Sequence, residues 1–112
     1  MSMLASPRNP RDLHTLSDVN AAAVVTIPGA ANRRIRLLFV VASLNAGGAW
    51  LNATDTQAAP VQHLNVWVQG AAPTTVLPAM ELSIPAGAGL VLTLATGGSG
   101  NRGAVTANWI YE

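Results

Sequence analysis

The side chains able to do chemistry are few in this chain. The two histidines, His14 and His63, lie far apart, with no H-x-x-x-H pattern and no His/Asp pairing expected near either. A metal site built from them would need partners brought in by the fold. The acids are Asp12, Asp18, Asp55, Glu81 and Glu112. No two are spaced to share a strand face as a glycosidase pair would, and each reads as a solvated loop or outward-facing strand residue. Ser43, Ser83 and Ser99 lack the G-x-S-x-G setting of a nucleophile. The run Gly97-Gly98-Ser99-Gly100 has no lysine and no following helix to cradle a phosphate, so it reads as a hairpin loop. The expectation is a protein that is not an enzyme and has no cofactor or metal.

Two other groups suit recognition. Arg33, Arg34 and Arg36 form the one basic cluster. Arginine favours bidentate pairing at interfaces, so Arg34 and Arg36 are expected in inter-subunit salt bridges. A net charge of +1 argues against direct nucleic-acid binding. Three tryptophans, Trp50, Trp67 and Trp109, stand out beside one Tyr and one Phe. Trp109 reads as core. Trp67 falls on the polar side of its segment. Trp50 and Trp67 are open between core and interface, where an exposed indole stacks on a sugar or anchors a protein partner. Asn52-Ala53-Thr54 matches a glycosylation sequon, which carries no weight without a secretory leader.

The elements that position these residues are short and apolar, punctuated by Gly, Pro and Asn. Strands are expected over Ala21–Ile27, Arg33–Leu44, Ala49–Ala53, Leu64–Gln69, Met80–Ile84, Leu90–Ala95 and Ala104–Tyr111. Leu64, Val66 and Val68 alternate with Asn65, Trp67 and Gln69, and Val105, Ala107, Trp109 and Tyr111 share a face. Abundant alanine favours helix by propensity. However, no segment keeps a 3.6-residue stripe over ten residues without Gly or Pro, and the period of two decides the matter. The fold class is therefore all-β, an antiparallel sandwich of jelly-roll type with about seven to eight strands. Residues 1–20 contain Pro7 and Pro10 and no sustained period. They read as an extended N-terminal arm, with Leu4, Leu13, Leu16 and Val19 as anchors, before a sandwich domain at 21–112. Its alternative reading is a frayed terminus.

At 112 residues the chain makes one domain that buries roughly 65% of its unfolded surface without staples. It has no cysteine, hence no disulfide or thiolate metal site. Only 10% of residues are charged and lysine is absent, against about 25% charged in soluble domains. Neighbours covering the surface would explain this; so would a GC-rich genome. Within Arg34–Leu44 the two faces, Arg34, Arg36, Leu38, Val40, Ala42, Leu44 and Ile35, Leu37, Phe39, Val41, Ser43, are both apolar in the middle. One wet face is normal in such a sandwich, so a loop, the arm or a second subunit should cover the other. The longest apolar run, Leu37–Ala42, is far below the roughly 20 residues of a membrane helix. The N-terminus lacks an apolar leader segment. No membrane partner is expected, and synthesis is expected in the host cytoplasm.

From residue 33 to the end, the chain resembles a loose group of small tailed-phage virion proteins. The likeness is carried by RIRLLFVVASLN from Arg34, by LSIPAGAGLVLTLATGGSG from Leu82 and by GAVTANWIYE from Gly103. The resemblance implies a β-sandwich decoration (cement) protein on the capsid surface of the virion, trimeric with sister subunits and bound to the major capsid protein. Expected interface residues are Leu13, Leu16, Arg34, Arg36, Leu38, Val40, Trp50 and Trp67. The alternative is a glycan-binding module of a tail or receptor-binding protein, with Trp50 or Trp67 as the stacking platform.

Overall fold

The computed structural model describes residues 11–17, 19–70, 75–77, 82, 84–96, 98 and 100–112. These form eight strands: β1 (Arg11–Leu16), β2 (Ala23–Ile27), β3 (Ile35–Leu44), β4 (Gly48–Asp55), β5 (Gln62–Gln69), β6 (Thr75–Leu77), β7 (Leu90–Leu94) and β8 (Gly103–Tyr111). Two four-stranded sheets result, ordered β1-β8-β3-β6 and β2-β7-β4-β5. The first with the last, second with seventh, third with sixth and fourth with fifth all pair antiparallel. The chain is thus a long hairpin rolled over itself, with β3–β8 and β4–β7 completing the sheets. That is the jelly-roll architecture.

The period of two in the sequence becomes the inside and outside of this sandwich. β2 and β7 alternate residue by residue, with Ala23, Val25, Ile27, Leu90, Leu92 and Leu94 buried. In β8 the expected face of Val105, Ala107, Trp109 and Tyr111 is buried throughout. Trp109 is 3% exposed, and its Nε1 has no hydrogen-bond partner among the described residues. Tyr111 meets it edge-on and donates its hydroxyl to Pro28 O at 2.6 Å, tying the two sheets together.

A β-bulge explains why both faces of β3 read as apolar. Leu37 pairs with Trp109 while Phe39 pairs with the next residue back, Asn108, leaving Leu38 as the extra residue. One inserted residue moves everything beyond it to the opposite face. Ile35 and Leu37 point inward before the bulge; Val40, Ala42 and Leu44 do so after it. Each strictly alternating set therefore contains both core and surface residues. A covering subunit is not required, and Val40, expected at an interface, is a fully buried core residue.

The arm also needs correcting. Residues 11–16 are β1, which pairs with β8 from Arg11↔Trp109 to Leu16↔Ala104. Ser17 locks its end: Ser17 N donates to Gly103 O at 2.9 Å, and Gly103 N donates to Ser17 Oγ at 2.8 Å. Period counting missed this strand because its burial is slight, with Thr15 alone less than exposed. The expected strand Met80–Ile84 falls largely outside the described residues. Leu82 and Ile84 are described and lie outside any strand, though Ile84 is buried in the core.

Candidate functional site

The outer face of the β2-β7-β4-β5 sheet is the most distinctive surface. Ladder pairing lines up Val24, Thr93, Asn52 and Asn65 in one row and Thr26, Val91, Thr54 and Gln62 in the next. Trp50 and Trp67 are direct cross-strand partners beside the first row, followed by Gly48 and Gln69. Of the Asp, Glu, Arg and Lys residues among those described, Asp55 alone belongs to this sheet, and it is buried. The face is therefore built of hydroxyl, amide, indole and valine groups with no formal charge.

The indoles are 49% and 48% exposed, with ring centroids 5.3 Å apart and planes at 75°. Trp67 is held in place. Its six-membered ring lies against Gly48, where an added Cβ would overlap ring carbons. Its Nε1–H donates to Gln69 Oε1 at 3.2 Å, and Gln69 Nε2 donates to Gly47 O at 3.1 Å. The edge-to-face contact with Trp50 adds a preference of about 0.5–1.5 kcal/mol for this geometry. A large exposed side chain normally keeps several rotamers; this one has lost that freedom before any partner arrives.

A second cluster lies at the end of the β4–β5 hairpin. A bulge pairs Ala53 with Leu64 and Thr54 with Gln62, leaving His63 as the extra residue. Its Nε2 reaches Asp55 Oδ2 at 2.7 Å. Asp55 also accepts from Gln57 Nε2 at 2.6 Å, Val61 N at 3.1 Å and Gln57 N at 3.2 Å. Burial raises the carboxyl's pKa, but the bonds from His63, Gln57 and Val61 outweigh that and hold it well below the usual carboxylate range. Asp55 is thus a satisfied internal anchor for loop 56–61, where a solvated residue was expected. The expectation of no His/Asp pairing also fails here. The available signal was a pair eight residues apart flanking a hairpin turn.

The remaining expected interface residues scatter. Leu13 is 40% and Leu16 73% exposed on β1, which is the outermost strand of its sheet. Arg36 Nη1 pairs inside the chain with Glu112 Oε1 at 2.9 Å, so its ion pair does not need a second subunit. Arg34 is exposed and lines an open depression of about 440 Å³ with Gln57, Ile84 and Pro85. Leu38 is half-buried at the bulge. The fold brings Trp50 and Trp67 together and leaves Leu13 and Leu16 on the other sheet. No protein-family model matches the chain, and no curated protein matches it. Among the described residues no three His, Asp or Glu side chains converge as metal ligands.

Proposed function

We propose that the chain is a structural subunit of a tailed-phage virion, and within that class a decoration protein that binds the capsid surface and oligomerises with sister subunits as a trimer. The fold is compatible with this reading, since jelly rolls build viral capsids among other things, but fold alone does not decide function. The observation that carries the proposal is the composition of the edge strand β1. Leu13 and Leu16, with Val19 just beyond, leave large apolar groups in water along the rim of a sheet. Burying a leucine in full stabilises by about 1.5–3 kcal/mol. A small contact of this kind, repeated over a lattice, sums to substantial stabilisation, less the cost of association. The low charge and the Arg-led second-half pattern support the same reading.

Light scattering after size exclusion tests the oligomer. A trimer that Leu13→Glu/Leu16→Glu converts to a folded monomer supports the proposal, and a wild-type monomer at all concentrations removes the self-association part. Mass spectrometry of purified virions tests the location. The deletion to use is residues 1–10, because removing 1–20 would also remove β1 and its six pairings with β8.

A further inference from the structure

We propose that Trp67, Trp50, Asn52 and Asn65 form a binding site for a neutral oligosaccharide on the outer face of the β2-β7-β4-β5 sheet. This goes beyond the assembly reading and does not depend on it, because the site is on the opposite sheet from β1.

The ligand class follows from the chemistry of the face. A nucleic acid or anionic polymer would require cations here, and none of the sheet's outward residues carries a charge. A dry protein interface would favour aliphatic side chains around the indoles. The neighbours are instead Asn52, Asn65, Gln69 and Thr93. Amides both donate and accept, which matches the alternating demands of vicinal hydroxyls, while the indole face covers the apolar C–H side of a pyranose ring.

The geometry is suited to such a ligand. Residues two apart on a strand are separated by about 7 Å. A sugar ring stacked on the Trp67 indole, which leans over Gly48 and Gln69, lies beside the Gln69 amide, and the Asn52–Asn65 pair two ladder rows away falls to a following unit. The oligosaccharide would run on along β4 and β5 toward Thr54 and Gln62, which continue the neutral strip. Contact with Gly48 and the hydrogen bond to Gln69 hold Trp67 in position. Binding therefore loses little side-chain entropy, the usual cost of ordering an exposed residue.

The test is titration of intrinsic tryptophan fluorescence with cellohexaose, maltohexaose and laminarihexaose, and with polygalacturonate as an anionic control. Titrations run to about 10 mM, roughly ten times the Kd of a millimolar site. The expected result is a saturable change with at least one neutral hexaose. Affinity should fall by about tenfold or more in Trp67→Ala, and more modestly in Asn65→Ala. Gly48→Ala, which displaces the ring without removing it, should weaken binding too and keeps the test decisive if Trp67→Ala fails to fold. Leu13→Glu/Leu16→Glu should bind like the wild type. Absence of a response to all three hexaoses overturns the proposal. So does a response that survives Trp67→Ala unchanged, or a preference for polygalacturonate.

Discussion

His63 Nε2 lies 2.7 Å from Asp55 Oδ2, joining the second residue of β5 to the last residue of β4. The carboxylate is 3% exposed and accepts from two backbone amides and two side chains, so the whole 56–61 connection is organised around one buried charge. Deleting that charge leaves several partly buried donors without their acceptor. Asp55→Ala is expected to lower the thermal midpoint and to raise amide exchange at Gln57 and Val61. Exchange in β2 and β7 should rise less. Unchanged exchange at those two amides would show that the carboxylate does not anchor the loop.

The same carboxylate sets an acid limit. Its folded pKa is lowered, so between that value and about 3.9 the unfolded chain binds more protons than the native one. The stabilisation is present in full above about pH 4 and is lost as pH falls toward the folded value. Urea midpoints measured between neutral pH and pH 2 should therefore drop in the wild type. The drop should be shallower in Asp55→Asn, whose side chain cannot titrate. Parallel curves for the two proteins would contradict this assignment.

The β3 bulge makes neighbouring residues respond in opposite ways. Leu38 is the extra, half-buried residue, whereas Val40 is fully enclosed. Val40→Thr puts an unpaired hydroxyl into the core and should cost about 1–3 kcal/mol. Leu38→Thr should stay within about 0.5 kcal/mol, like most substitutions away from a packed core. A strand of strict alternation would make the two costs similar, because both residues would share a face. Urea denaturation of the pair separates these cases.

Trp109 has an unusual balance. Its Nε1–H is buried without an acceptor among the described residues, a state that costs about 1–3 kcal/mol. Trp109→Phe removes that donor while leaving a cavity, so the two effects oppose each other. The net loss should be smaller than that of Leu92→Ala, which creates a cavity with no compensation and should cost about 2–5 kcal/mol. A larger loss for Trp109→Phe would mean that the indole nitrogen has a partner in solution.

Most of the sandwich was legible in the chain because alternation is a local property. Leu64 to Gln69 and Val105 to Tyr111 declare their buried sides with no knowledge of what packs on them. The breaks at Pro28-Gly29 and Asn45–Gly48 mark the ends of strands in the same way. β1 was not legible. An edge strand that buries almost nothing has no hydrophobic period, and its place comes from hydrogen bonds to β8, some ninety residues later. The candidate site was legible only as types. Two tryptophans were conspicuous and one lay on a polar face, yet nothing local pairs residue 50 with residue 67.

By itself, then, the sequence determined the fold class, the position of most strands, the core face of β8 and the scarcity of charge. Tertiary structure alone decided the remainder. It closed the rolled hairpin into the order β1-β8-β3-β6 and β2-β7-β4-β5. It put the extra residues at Leu38 and His63, set Trp50 against Trp67, and buried Asp55. Each of these depends on register between strands. Register is a non-local quantity, set by which pairing buries the most apolar surface while satisfying the backbone, and a shift of one residue would turn every side chain to the opposite face.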